Sequence, residues 1–340
     1  MRLSFSIILL VLSTGFAIAD ADSNATKSGK ISTGNNSIAA TTPAQPAQTS
    51  GKYTRLTKTG DDAYTFELAI RSFKPVSGKG SEVILISAIH IGSKEYYEEL
   101  QKIIDSPALL LFEGVSDNHK KADAARTEEK RPDGLYEQFA HPLGFVTQLE
   151  SLNYKRENFK NADLSMQQLQ EILKKEAELE NRKGEAARDA LKYFEQLEKV
   201  LSGGDPFSAF ILRGFFGMIG NSPQFRTMLL FHLASAEDGA KSSGMMTPGL
   251  QRIARLILHD RNKAVMDMLA EELDQPDPPA SIGVFYGAAH LSGMEKILVQ
   301  KMGYQFTKNQ WITAYTIHPK AAGLDDAIIK SLTKSVVEKN

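Results

Sequence analysis

The chain has 340 residues, 42% hydrophobic and 24% charged, with 40 Lys and Arg against 41 Asp and Glu. The resulting net charge of −1 argues against a nucleic-acid binder that works by broad phosphate neutralisation. The absence of cysteine excludes disulfides, thiolate metal sites, iron–sulfur clusters and cysteine nucleophiles, so any metal must rest on Asp, Glu and the seven histidines.

The first nineteen residues read as a secretory signal peptide. Met1-Arg2 is a short basic start, Leu3 to Leu12 is an apolar run too short to span a bilayer comfortably, and Ala17-Ile18-Ala19 matches an A-x-A cleavage site. Residues 20–51 are Ser, Thr, Asn, Ala and Gln with few large apolar side chains. This composition predicts a disordered tether, because it cannot bury enough surface to offset ordering entropy. The expected product is exported, periplasmic or extracellular, with no transmembrane segment in the mature chain and an α/β domain over 52–340.

Within that domain, Thr54 to Thr57 and Tyr64 to Ile70, joined by Thr59-Gly60-Asp61-Asp62, predict a hairpin at the sheet edge. Glu82 to Ala88 is a strand buried on both faces, Lys94 to Ile104 a helix, and Ala108 to Phe112 a second buried strand, which together make a βαβ unit. Ser165 and Gln168 form a capping box, and further helices are predicted near 186–201, 206–219, 223–235 and 248–273. Ser281 to Tyr286 returns to strand, followed by a helix over Met294 to Met302, strands over Gly303 to Thr307 and Trp311 to Ile317, and a helix over Asp325 to Val337. The fold class is therefore α/β. A central mixed, largely parallel sheet is built from both chain ends, with a large helical insertion over about 117–275.

One pattern occurs twice. ILISAIHIGSKEYYEEL (84–100) and GVFYGAAHLSGMEKILV (283–299) each give a strand, small residues, a histidine, an apolar residue and then a helix, with glutamate five places after the histidine. His90 and His290 thus sit where open α/β sheets hold ligands, beyond the carboxyl ends of strands. Leu109 to Phe112 delivers Glu113 in the same way, and an acid after four large apolar residues must be paired, metal-bound or functionally strained.

Ser87-Ala88-Ile89-His90, Leu111-Phe112-Glu113-Gly114, Asp260-Arg261-Asn262, Gly287-Ala288-Ala289-His290-Leu291-Ser292-Gly293 and Met302-Gly303-Tyr304 together resemble the TraB/GumN/Tiki superfamily over roughly 53–320. Ser87 stands where that family usually has glycine, and Gly114 where it often has leucine or an acid. The resemblance implies two histidine motifs facing one another across a cleft. The Tiki branch is described as metal-dependent proteases that need these histidines and the glutamate, and the wider clan includes esterase-like enzymes and a haem-binding branch.

On this basis His90, Glu113 and His290 are candidate ligands of a divalent metal (Zn, Mn or Co), with one position left for a water that attacks a peptide or ester bond. Glu113 and Arg261 are the candidate catalytic residues, Arg261 stabilising an oxyanion or holding Glu113. Three alternatives stay open: a metal-free histidine base, a Glu113–Arg261 ion pair with a purely structural role, and an exported non-catalytic binder of a hydrophobic peptide, haem or lipid. The binder would use Phe207, Phe210, Ile211, Phe215, Phe216, Met218, Ile219, Met228 to Phe231 and Met245-Met246. Asp163 reads as helix-start chemistry.

Overall fold

The computed structural model describes residues 52–114, 140–201, 214, 216–235 and 247–337. The expected signal peptide, the tether and most of the 206–219 helix lie outside these residues. Among the described residues no helix is long and apolar enough to cross a membrane.

The protein is α/β, with a seven-stranded, mixed sheet. β1 (Thr54–Gly60) turns tightly into the 13-residue β2 (Ala63–Pro75). β3 (Glu82–Ala88) leads through β4 (Ile91–Gly92) into α1 (Lys94–Ile104), and β5 (Leu109–Phe112) comes next. β8 (Ser281–Gly287), from about 170 residues beyond β5, inserts between β3 and β5 and runs parallel to both. The intervening segment is not purely helical: β6 (Val146–Thr147) pairs with β4, and β7 (Phe159–Asn161) extends the parallel sheet beyond β5. β3, β8, β5 and β7 are thus four parallel neighbours whose carboxyl ends share one side of the sheet.

The expected edge hairpin is corrected at β2. β9 (Tyr304–Ile317) runs antiparallel along β2 from Tyr64 to Pro75, while β1 and β3 pair with its two halves, so β2 is an inner strand. Its apolar pattern continues through Phe73, which is fully buried. The two expected strands over 303–317 are one, because Lys308, Asn309 and Gln310 keep their backbone pairing with Ser72, Arg71 and Ile70 despite polar side chains.

Helices cover the sheet and build a second, smaller core. α2 (Gln148–Ser151) is a single turn, and α3 (Met166–Ala177) starts at the capping box of Ser165 and Gln168. With α4 (Arg182–Leu201) and α6 (Pro248–Arg255), α3 packs Leu169, Leu173, Ala187, Ala190 and Ile253 into that core; α5 (Pro223–Ser235) instead sends Leu230 and Phe231 into the main one. The expected continuous helix over 248–273 is interrupted by a π-helical turn, Leu256–Asp260, before α7 (Arg261–Leu273). The interruption lies where the helix passes from the second core to the main one, into which α7 sends Val265, Met266 and Leu269. A π turn adds a residue and rotates the helix beyond it, and such turns recur at functional sites. α8 (Ala288–Lys301) and α9 (Asp326–Val337) complete the fold.

Candidate functional site

The four parallel strands end within a few residues of polar side chains: β3 before His90, β5 before Glu113, β7 before Asp163, and β8 before His290. Their register makes this a single crevice. Ala88 pairs with Gly287, and Phe112 pairs with both Phe285 and Asn161. α8 begins at Ala288, six residues earlier than its apolar spacing predicts, so His290 lies in a helical first turn rather than a loop. The small run Gly287-Ala288-Ala289 lets the strand pass directly into the helix.

Glu113 is held from two sides. Its Oε2 accepts the Gly287 N–H at 2.7 Å, which sets the carboxylate at the positive end of α8, and its Oε1 accepts a short hydrogen bond from Arg261 Nη2. Arg261 also makes a bidentate pair with Asp163, Nε to Oδ1 at 2.8 Å and Nη2 to Oδ2 at 2.6 Å. The Asp163 side chain is fully buried, Arg261 is 6% exposed and Glu113 10%. Burial works to raise the Glu113 carboxyl, but Arg261, the two imidazoles and the Gly287 N–H outweigh it and hold the group well below the usual carboxylate range. Burial raises Asp163, with Arg261 opposing and Glu113 adding repulsion. Two acids thus share one guanidinium. The Glu113–Arg261 ion pair is present, and Asp163, read from the sequence as helix-start chemistry, is its third member.

His290 is 1% exposed. Its Nδ1 lies 2.7 Å from Asn262 Oδ1; an amide oxygen only accepts, so Nδ1 carries the proton and Nε2 keeps its lone pair. Nε2 lies 3.9 Å from Glu113 Oε1. Tyr286 packs edge-on against the ring at 5.5 Å and anchors its own hydroxyl on the Ala162 carbonyl. Burial, partly offset by Glu113 and reinforced by Arg261 and His90, pushes the His290 imidazole down to about 3.

His90 is half-buried, with the backbone leading to it fixed at three carbonyls. Tyr96 donates to the Ser87 oxygen at 3.4 Å, Tyr97 to the Ile89 oxygen at 2.8 Å, and the Gln148 N–H to the His90 oxygen at 2.9 Å. Burial lowers the pKa of this imidazole as well; the charges of Glu113 and Arg261 both act on it, and it in turn acts on His290. The structure therefore brings His90, Glu113, His290 and Arg261 together at one end of the sheet.

The repeated sequence pattern is not repeated chemically beyond the histidines. Glu95 is exposed, whereas Glu295 is buried, accepts from the Tyr53 hydroxyl at 2.6 Å and pairs with Arg71 at 3.3 Å. Of the other histidines, His119 lies outside the described residues, His141, His232 and His259 are exposed, and His318 Nδ1 lies 2.9 Å from the Asp62 carbonyl oxygen. In the apolar segment, Phe216 and Ile219 are core residues and Met218 is exposed, while Phe207, Phe210, Ile211, Phe215, Met245 and Met246 lie outside the described residues.

The protonation states of this donor set, though not its spacing, are those of a divalent-ion site. Two neutral imidazoles and an ionised carboxylate are the protonation states that metal binding requires, and the Asn262 contact is the kind of outer hydrogen bond that orients a ligating histidine. Among the described residues, no three His, Asp or Glu side chains already stand at ion-binding spacing. A shared ion would take a remaining lone pair of Glu113, whose two oxygens already serve Arg261 and Gly287. Asn262, Asp163 and Gln148 are the site residues that sequence reasoning did not assign. Asn262 was within reach, being next to Arg261; Gln148 carries no sequence signal.

No known protein family, curated protein or solved structure matches this chain.

Proposed function

We propose that the protein is a hydrolase of the TraB/GumN/Tiki type, directing water at a peptide or ester bond in the crevice between His90, Glu113 and His290. The observation that carries this reading is the convergence of two imidazoles and a paired carboxylate, from three adjacent parallel strands, with the His290 Nε2 lone pair set free by the Asn262 contact.

In this reading His90, Glu113 and His290 hold a divalent metal (Zn, Mn or Co), which when bound lowers the pKa of its water. Asn262 keeps His290 in the ligating tautomer. Arg261 restrains Glu113 and supplies fixed positive charge beside the place where a carbonyl oxygen becomes negative. Asp163 fixes the guanidinium, so Arg261 is oriented before substrate arrives. The substrate is a peptide or small molecule, and the reading places the protein outside the cytoplasm, in keeping with its N-terminal nineteen residues.

The test is hydrolysis of peptide and ester libraries by purified protein, after chelation and after return of Zn²⁺, Mn²⁺ or Co²⁺. The expected result is activity that chelation abolishes, that metal restores, and that both His290→Ala and Glu113→Gln lack. Activity that survives chelation unchanged would overturn the metal assignment, and activity retained in His290→Ala would overturn the site.

A further inference from the structure

The two residues that reach the site from α7, Arg261 and Asn262, are the first two after the π turn, so the turn fixes the angle at which both are presented. We infer that Arg252 is a positioning residue for the site: paired with Asp260 it locks the π turn, and the locked turn aims Arg261 at Glu113 and Asp163 and Asn262 at His290. The catalytic consequence rests on the function proposed above, but the lock itself does not.

Helix geometry ties the pair to the turn. In an unbroken α-helix a residue eight places on stands about 80° around the axis, whereas one extra residue carried by a π turn brings it to within about 20° of the same face. Arg252 and Asp260 are eight places apart with the turn between them, and Arg252 Nη2 donates to Asp260 Oδ2 at 2.8 Å. The contact therefore suits the π register and disfavours the α register. Asp260 makes no side-chain capping bond to α7, so capping does not account for its place.

Arg252 is itself held firmly. Its side chain is 7% exposed, and its Nε and Nη2 donate to the two carboxylate oxygens of Glu176 at 2.6 and 3.1 Å, in the last turn of α3. The other end of α3 is its cap Ser165, two residues after Asp163, which takes Arg261 in its bidentate pair. The contacts close into a ring. Asp163 and Glu176 flank α3, Arg261 and Arg252 flank the π turn, and each arginine meets the acid facing it. Bidentate pairs of this kind fix orientation as well as distance. Since π turns are rare and the α-helix is the default, contacts specific to the π register are what favour it here.

The experiment compares metal-free wild type, Arg252→Met, Asp260→Leu, Asp260→Asn and Leu173→Ala by ¹⁵N-resolved side-chain spectra at neutral pH. The Arg261 Nε–H and His290 Nδ1–H signals are assigned by their absence in Arg261→Lys and His290→Gln. Asparagine keeps the acceptor that Arg252 uses and leucine removes it, while Leu173→Ala loosens the same second core without touching the lock. The expected result is one slowly exchanging Arg261 signal and one His290 tautomer in wild type, Asp260→Asn and Leu173→Ala. In Arg252→Met and Asp260→Leu the Arg261 signal is expected to exchange with water at least about tenfold faster, and a second His290 tautomer to appear. In turnover, these two variants are expected to lose about tenfold in kcat with little change in KM, and Asp260→Asn to keep most of it. Unaltered Arg261 and His290 signals in folded Arg252→Met and Asp260→Leu would overturn the inference, as would an Asp260→Asn that behaves like Asp260→Leu. The same changes in Leu173→Ala would overturn it too, by showing that general loosening of the second core suffices. Because the spectra need no turnover, a protein that hydrolyses nothing would leave a positive result standing and count only against the proposed function.

Discussion

Asn262 grips His290 at both ends of the residue. Its Oδ1 takes the ring Nδ1–H at 2.7 Å while its Nδ2 donates to the His290 backbone carbonyl at 3.1 Å. One side chain on α7 therefore sets both the tautomer of the imidazole and the rotation of the first turn of α8. Asn262→Asp, which keeps the acceptor but loses the amide donor and adds a buried charge, is expected to lower activity at least tenfold while leaving substrate affinity nearly unchanged. Equal losses in kcat and in substrate binding, read from full kinetic curves, would show that Asn262 acts on the substrate instead.

The grip needs a glycine opposite it. A Cβ on Gly293 would lie 2.8 Å from Asn262 Nδ2, whereas a Cβ on Gly287 would meet Glu113 Oε2 at 3.4 Å and His290 Cδ2 at 3.7 Å, which is ordinary contact. Gly293→Ala is accordingly expected to displace Asn262, cost about 1–3 kcal/mol and reduce activity, while Gly287→Ala keeps its stability to within about 1 kcal/mol. Denaturant midpoints of the two variants check the contrast, and similar midpoints would contradict it.

Arg261 is the sole cation hydrogen-bonded to Glu113 and Asp163 among the described residues. Replacing it with methionine leaves two buried carboxylates without their partner and is expected to cost about 3–5 kcal/mol. Asp163→Asn keeps a neutral acceptor for the guanidinium and should cost much less. Unfolding curves at neutral pH are the measurement, and a larger loss for Asp163→Asn than for Arg261→Met would reverse the assigned roles.

Acid should weaken the metal-free protein in a defined window. The His290 imidazole titrates near 3 when folded and near 6.5 when unfolded, so between those values the unfolded chain binds the extra proton and stability rises with pH. On acidification, stability is lost from about pH 6.5 downward, by up to about 1.4 kcal/mol per pH unit for this one group. Glu113, held below its ordinary value of 4.5, adds to the loss below that pH. Thermal unfolding from pH 7 to 4 should therefore fall less steeply in His290→Gln than in wild type; parallel slopes would contradict this origin.

Strands buried on both faces were legible because they are short apolar runs with sharp ends: β3 coincides with Glu82–Ala88 and β5 starts one residue after its expected first residue. Their ends also made His90, Glu113 and His290 the candidate residues, since a polar residue after such a run has few places to go. The features that stayed hidden depend on long-range pairing. β2 looked like half of an edge hairpin because nothing local announces that β9 lies along it, and the polar middle of β9 concealed one strand as two. Asp163 shows the same limit at the site. Its local contact, the Leu164 N–H on Oδ1 at 2.8 Å, is indeed turn chemistry, but its partner Arg261 is 98 residues away. The π turn before Arg261 was invisible for a related reason, because the apolar spacing on either side of it belongs to two different cores.

The central claim is that His90, Glu113 and His290 converge on one point, and anomalous diffraction from a Zn²⁺-soaked crystal tests it most directly. The account predicts a single zinc peak in the crevice about 2.0–2.2 Å from a nitrogen of each imidazole and an oxygen of Glu113. Crystals in which zinc binds elsewhere, or in which the two imidazoles hold separate ions, would contradict it.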